Sequence, residues 1–513
     1  MAGPEQTRDL VIGIDSSTSA TKAIAWDRAG KAVAEGRAPI AMSNPEPGWF
    51  EQDPAEWWSS TVTALNAVTG KVDPGRIAAL AISNQRETIG FFDADGQPLR
   101  AGMLWLDERA KAEMRQLAAS LGAETLHKIN GKPVDITQAL PLYPWLKAHE
   151  PELWDRFDKT ADVNALLTFR LTGEWATPVA SADPLGLLDM EAGVWSDTIL
   201  NEIGLDKGRL SRLVTPGAVM GEVHAEAARE TGLRPGTLVV AGGGDGQCAG
   251  TGTNVLESSS AYLNIGTALV SGCYSRTYGY NNAFRTMRAI DARGYIFESC
   301  MRTGTYLVDW IARSLFGLDP ASDSTVFPTL EREATASPVG ANGLMVVPYW
   351  SGVMTPWWDM DARGVFAGFN AFHTRGDMYR AVLEGLAMDQ AVVTAGAEAA
   401  MGRLVDRYVA IGGGASSDLW CHIFADASGR PVDRSTTIEA SALGAGMAAA
   451  AGAGWFSTMK DAAEAMAGPI VTRFEPDPVN RSRYEELVAL YRELWPALSD
   501  WNRRLARFAE GGA

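Results

Sequence analysis

The sequence predicts an α/β fold built from two related halves around a central cleft, and two repeated patterns carry that prediction. A strand, a hydroxyl-rich turn and a returning strand stand near the start of each half. Later in each half a strand runs into three consecutive glycines. The distance from Asp15 to Asp245 is about the length of one half, so the chain reads as an internal duplication with its boundary near residues 252–260. We divide it into 1–255 and 256–513.

Leu10 to Asp15 (LVIGID) is an apolar run bounded by turn residues, which predicts a buried strand. The turn SSTSATK, the strand Ala23 to Asp27 and the turn Arg28 to Lys31 complete a hairpin whose tip carries hydroxyls and amides. Arg76 to Ser83 is another apolar run, and Gly236 to Ala241 leads into Gly242-Gly243-Gly244-Asp245. In the second half Ser260 to Ile265 turns through Gly266-Thr267 and returns as Ala268 to Tyr274. Arg407 to Ile411 runs into Gly412-Gly413-Gly414 and a helical pattern from Ser417 to Ala427. Residues 101–235 read as an insertion of helices and loops on the substrate side, with helices near Glu108 to Ser120 and Thr137 to Glu150. Asn480 to Glu510 places Leu487, Leu490, Tyr491 and Leu494 at helical spacing, which predicts a long surface helix.

At 513 residues, 46% hydrophobic and 21% charged, the chain has material for two or three globular domains and no disordered bias. Its net charge of −17 argues against a nucleic-acid partner and suits a neutral substrate. A polyanion such as ATP must then be held locally by amides, a metal and a few cations. The 4 cysteines and 5 histidines are scattered, which excludes the usual zinc spacings and a disulfide framework. Met1 to Asp9 is polar and the apolar run that follows reads as too short for a signal peptide or membrane span, and the uncharged stretch Ala440 to Phe456 is Ala and Gly, suited to a close-packed interior helix rather than a membrane. A soluble cytoplasmic protein is expected, and a homodimer is allowed for.

Phosphoryl transfer needs oriented donors, a divalent metal and a base for the acceptor's proton. No GxxxxGK[ST] loop is present, but two facing strand-to-strand turns offer the same donors. Asp15 to Ser19 and Gly266-Thr267 have that composition, and Lys22 adds a point charge. Each turn alone reads more readily as an ordinary hairpin. Asp15, at a strand end, is a turn-former or the one carboxylate that Mg²⁺ needs. Asp245 follows three glycines that let a ligand approach, so it is a candidate general base or simply a turn Asp. Gly412, Gly413 and Gly414 could let adenosine approach, though tight strand-to-helix turns use glycine anyway. Gln85, Arg86 and Glu87 offer bidentate groups to a polyol, or a surface ion pair. Among 17 tryptophans, Trp105 near Asp107 could stack on a sugar face, while most of the rest suit packing.

Together these segments resemble the FGGY family of carbohydrate kinases over roughly residues 9–500. GIDSSTSATKAIAWD is similar to the family's first phosphate motif, and PEPGWFEQDPAEWW to the segment after it. ISNQRETIGFFDADGQPLRAGMLWLDERA resembles the substrate segment, AGGGDGQCAGTG the base motif and LNIGTALVSG the second phosphate motif. TPWWDMDARGVFAG, YRAVLEGLAMD, IGGGASSDLWCHIFADASGRPV and EASALGAG follow in family order. The resemblance implies an actin/hexokinase-like fold of duplicated RNase H-like domains with ATP in the central cleft. It implies Asp245 as base, Asp15 near Mg²⁺, and Thr18, Ser19, Lys22, Gly266 and Thr267 near the phosphates. It puts Gly412, Gly413, Gly414 and Ser417 near adenosine, and Gln85, Arg86, Glu87, Trp105 and Asp107 near the sugar.

Gln85-Arg86-Glu87 is like glycerol kinases, whereas xylulokinases usually carry Met-His there. The tyrosine that glycerol kinases place downstream is replaced by Thr137 or a neighbour, and the lysine of the family's first signature aligns near Leu142. WLKAHEPELWDR and FRLTGEWATPVASADPLGLLDM look more like xylulokinase. The expectation is ATP-dependent phosphorylation of a primary hydroxyl on a ketopentose such as xylulose, with glycerol or a four-carbon polyol second. The alternative from another class is a non-catalytic actin-like nucleotide-binding module. Asp245 argues against it, since binding alone needs no general base.

Overall fold

A computed structural model describes residues 8–509; Met1 to Thr7 of the polar start, and Glu510 of the expected last helix, lie outside the described residues. Two mixed sheets organise the chain. The first uses β1 (Leu10–Ser16), β2 (Ala20–Trp26), β3 (Ala32–Pro39), β4 (Ile77–Asn84), β5 (Val219–Glu222) and β6 (Leu238–Gly244), with helix α1 (Pro54–Thr69) after β3 and α2 (Asp245–Gly252) after β6. Its spatial order is β5-β6-β4-β1-β2-β3. The second sheet uses β7 (Ser260–Ile265), β8 (Leu269–Ser275), β9 (Arg285–Arg288), β10 (Tyr295–Met301), β11 (Arg407–Ile411), β12 (Val432–Ser435) and β13 (Ile470–Phe474), in the order β9-β10-β8-β7-β11-β12-β13. The helices that bear on it are α3 (Arg375–Met401), α4 (Asp418–Ser428), α5 (Ala440–Gly452) and α6 (Pro478–Ala509).

The sheets share one topology. In each, the first strand pairs antiparallel with the second and parallel with a later strand, β4 in the first sheet and β11 in the second, and an antiparallel strand closes the far edge. This is the duplicated RNase H-like architecture expected from the sequence. The matching of the glycine turns needs correcting. Gly412–Gly414 follow β11, whose counterpart is β4, so the turn equivalent to theirs is Gln85-Arg86-Glu87. Gly242–Gly244 end β6, whose counterpart is β12, so the partner of Asp245 and α2 is Glu439 and α5.

Alternation along β1 decides what covers each face of the first sheet. Leu10, Ile12 and Ile14 join Trp57, Ala64 and Leu65 of α1 in one apolar cluster. Val11, with Ile24 and Val240, packs instead against Ala442, Leu443, Ala445 and Met447 of α5. The second half thus roofs the first. Glycines permit the approach: a Cβ on Gly13 would stand 1.8 Å from the Ala442 carbonyl oxygen, and one on Gly444 would stand 2.0 Å from that of Cys248. Ala440–Gly452 is therefore the interior helix its composition implies, and no helix among the described residues is long and apolar enough to cross a membrane.

Residues 101–235 hold more strand than expected. Ile89–Phe92, Gly102–Met103 and Lys159–Asp162 form a small sheet with Glu51–Gln52, and β5 itself belongs to the main sheet. The expected helices shorten to Lys111–Leu121 and Leu142–His149. On α6, Tyr491 is buried whereas Leu490 is 57% exposed, so the apolar stripe is narrower than its spacing implies.

Gly13→Ala is expected to destabilise the protein by about 1–3 kcal/mol, because backbone rather than a mobile side chain blocks the new methyl. Gly413→Ala, with nothing within 4 Å of its Cβ, is the control and should leave the urea midpoint unchanged. Equal midpoints for both variants would contradict the close α5–β1 contact.

Candidate functional site

Asp245 opens α2 immediately after β6, and its Oδ1 accepts the Gly246 amide at 2.7 Å. The same oxygen is 2.8 Å from Arg86 Nε in an ion pair, and the aspartate side chain is 40% exposed. Arg86 follows β4, the strand beside β6, so parallel pairing brings the two together. The flanking glycines make room: a Cβ on Gly244 would meet Arg86 Cδ at 2.5 Å, and one on Gly246 would meet Glu298 Oε2 at 2.5 Å. Gly244, one of the three glycines read as letting a ligand approach, thus admits the Arg86 side chain, and Gly246 admits Glu298.

Arg86 reaches into the other half. Its Nη1 donates to both oxygens of Glu298 at 2.9 Å. Glu298 also accepts Arg285 Nε and the Tyr262 hydroxyl, each at 2.8 Å. Arg285 sits opposite Glu298 across the β9–β10 pair and gives Nη1 to Glu87 at 2.7 Å. Burial opposes the charge on Glu298, but Arg86 and Arg285 outweigh it and hold the carboxyl at about 2. Burial pushes Glu87 up to about 7 despite Arg285 and Arg86. Its backbone takes φ 61°, a left-handed position that turns it toward the second half.

The first turn forms the opposite wall. Asp15, at the end of β1, accepts the Ser83 hydroxyl at 2.9 Å. Desolvation raises Asp15 to about 7, and the negative charge of Asp245 adds to the rise. Lys22, paired in register with Asp15, donates to both oxygens of Glu439 at 2.8 and 2.6 Å. The next residue but one, Ser441, donates its hydroxyl to the Asp245 carbonyl at 3.1 Å. Thr18 accepts the Trp105 indole N–H at 3.0 Å, which ties the first turn to the segment that carries Trp105. Ser19 is exposed at the tip.

In the second half Gly266 and exposed Thr267 lie at the tip between β7 and β8. Gly412–Gly414 stand beside them: a Cβ on Gly414 would meet Ile265 Cγ2 at 2.4 Å, while Gly413 faces open space. Gly412 has φ 86°, a conformation that favours glycine.

Three candidates prove to be committed inside the protein. Gln85 is buried, giving its amide N–H to Gln52 at 2.9 Å and accepting the Thr88 hydroxyl at 3.1 Å. Asp107 takes both arms of Arg109, at 2.8 and 2.7 Å, together with the Phe50 amide. Ser417 caps α4 by accepting the Trp420 amide at 3.1 Å. Thr137 is likewise buried, bonded through its amide and hydroxyl to Asp135. Sequence reasoning missed Glu298, Arg285, Tyr262 and Glu439. The signal available was a charge inside an apolar strand, as in YIFESCM.

Among the described residues no cluster of three or more His, Cys, Asp or Glu gathers as a metal cage. The pair Asp15 and Asp245 nonetheless fits a divalent cation, since positive charge would relieve both the desolvation of Asp15 and its repulsion by Asp245.

Residues 10–252 match the model of the FGGY family of carbohydrate kinases, N-terminal domain, and residues 247–453 match the C-terminal domain of the same family. A xylulose kinase of Bacillus subtilis is 31% identical over 517 residues, covering 97% of this chain and 99% of its own. A glycerol kinase of Symbiobacterium thermophilum is 27% identical over 477 residues, covering 89% and 92%. The crystal structure of xylulose kinase from Rhodospirillum rubrum superposes with a TM-score of 0.90 at 26% identity, covering 96% of this chain and 99% of that one.

Asp15 binds its proton more tightly in the fold than its ordinary value of 3.8. The native state therefore keeps a proton that the unfolded chain releases, and stability falls as pH rises from about 4 to about 7. Asp15→Asn is expected to raise the thermal midpoint at pH 8 in metal-free buffer by roughly 2–4 °C, with the gain vanishing near pH 4. Equal midpoints for the two proteins at pH 8 would refute the penalty.

Proposed function

The chain belongs to the FGGY family of carbohydrate kinases, and we propose that it transfers the γ-phosphoryl group of ATP to a primary hydroxyl of a neutral ketopentose, xylulose first. The observation that carries this reading is the Asp245 carboxylate. Its Oδ1 is engaged by Arg86 and the Gly246 amide, and its Oδ2 has no hydrogen-bond partner among the described residues while the side chain stands 40% exposed. A substrate hydroxyl can donate to Oδ2, and Arg86 holds the carboxylate in its orientation. In a loose phosphoryl-transfer transition state, moderate basicity is enough because the alcohol loses its proton late.

Around that base, Thr18, Ser19, Lys22, Gly266 and Thr267 are proposed to hold the phosphates. Gly412, Gly413 and Gly414 are proposed to face adenosine, with Gly413 as the open side. Asp15 would hold Mg²⁺ with phosphate oxygens and waters, and the ion would supply charge neutralisation for the phosphates when bound. Arg86, Glu87 and Trp105 line the sugar side, while Gln85, Asp107 and Ser417 hold their neighbours in place. The division into 1–255 on the substrate side and 256–513 on the adenosine side, and a cytoplasmic location, belong to the same proposal.

A neutral acceptor is supported by the state of the arginines. Arg86 and Arg285 are both already paired with carboxylates, so neither is spare for a sugar acid. The full-length match to a xylulose kinase supports the ketopentose. A polyol such as glycerol is the second reading, favoured by the Arg86-Glu87 pair and by the match to a glycerol kinase.

ADP formation against a panel of neutral ketoses and polyols with MgATP should give its strongest response with xylulose. Glycerol or a four-carbon polyol in first place would install the second reading, and no response above basal hydrolysis would overturn both. Asp245→Asn should lower kcat by about 10²–10⁴-fold with ATP affinity nearly unchanged. Parallel loss of ATP binding would remove Asp245 from the role of base.

A further inference from the structure

We infer that Glu298 is a positioning residue for the transfer reaction: from the second half of the chain it fixes the Arg86 guanidinium, and through it the stance of the Asp245 carboxylate in the first half. This rests on the reading of Asp245 as base.

Glu298 stands in the middle of β10 with no exposed side-chain surface. Its carboxylate receives Arg86, Arg285 and Tyr262, so its position is defined from several sides. An ion cluster this deep is expensive to desolvate, and apolar residues of similar size commonly serve stability as well or better. Stability alone therefore gives little reason to keep it. Its geometry gives another. The guanidinium is a rigid planar fork, so fixing Nη1 on Glu298 also fixes the direction of Nε, the nitrogen 2.8 Å from Asp245 Oδ1. Arg86 is thereby tied to a carboxylate of each half at once.

The backbone around Asp245 is shaped for the same contact. Gly244 leaves space for the Arg86 stem and Gly246 leaves space for Glu298 Oε2, each within 2.5 Å of where a Cβ would be. A side chain at either position would push the guanidinium or the glutamate away from the base. The second strap, Arg285 to Glu87, joins the same two strands to the same loop and holds the register of the first. With the halves apart Arg86 would keep Asp245 but lose Glu298, so the guanidinium that orients the base would no longer be fixed. The base is competent only with the cleft assembled, which guards the phosphoryl donor against water.

The test is a double-mutant cycle on the full-length protein, using MgATP and the acceptor with the strongest turnover in the ketose and polyol panel. Glu298→Gln is expected to lower kcat about 10²-fold, the scale of a small misplacement near the reacting atoms, with the KM for ATP nearly unchanged. Glu298→Asp, which retains the charge on a shorter stem, should recover part of that loss. In an Arg86→Ala background, Glu298→Gln should cost almost nothing further, because its effect passes through the arginine. Multiplying effects of the two substitutions would overturn the inference, as would unchanged kcat in a folded Glu298→Gln or Glu298→Asp protein. Asp245→Asn run alongside separates the two levels: retained transfer there sinks the base itself, whatever Glu298 does.

Discussion

The cleft depends on an alternation of charge that ends on the partly exposed Asp245 and whose buried members, Arg86, Glu298, Arg285 and Glu87, pass from the first half to the second and back. Each member would be intolerable alone. A lone carboxylate with the burial of Glu298 would take up a proton, and a lone buried arginine would draw in water. Together they convert the cost of desolvation into a demand for one relative placement of the two sheets, because only that placement satisfies every donor. Asp245 sits at the end of this alternation with Oδ1 constrained and Oδ2 without a hydrogen-bond partner among the described residues.

The duplication explains why two different ligands can meet there. The loops after β4 and β11 are topologically equivalent, yet one carries Gln85-Arg86-Glu87 and the other Gly412–Gly414. Polar forks suit a small molecule covered with hydroxyls, whereas bare backbone suits a flat ring that must slide close. The loops after β6 and β12 diverge in the same manner. Asp245 begins α2 with a free carboxylate oxygen, while Glu439 before α5 is spent on Lys22. One duplicated scaffold thus presents two differently furnished sets of turns.

Much of this is legible in the chain itself. The hairpins at Asp15 to Lys22 and at Gly266-Thr267 announce themselves because short apolar strands flank turn chemistry, and the Ala/Gly run 440–452 announces a buried helix. The pairing of the repeats is less legible. Three glycines end β6 and three follow β11, but sequence order does not reveal that these strands hold different places in their sheets. Committed side chains mislead for a related reason: Asp107 and Gln85 have the right chemistry, and only the fold shows that Arg109 and Gln52 have already claimed them. Glu298 and Arg285 escape notice because their meaning lies in residues some 200 positions away, Arg86 and Glu87.

The roofing of the first sheet by α5 bears on how the protein is made. Val11, Ile24 and Val240 lie on a face whose cover, Ala442 to Met447, leaves the ribosome about 200 residues after the last of those strands. At synthesis rates of about 5–20 residues per second, that face stays bare for roughly 10–40 s after its own strands are complete. During that interval the nascent chain carries an apolar surface that nothing in the emerged portion can bury, and it needs shielding from other chains. The contact that unites the two halves in the finished enzyme is therefore also the point at which its biogenesis is most exposed.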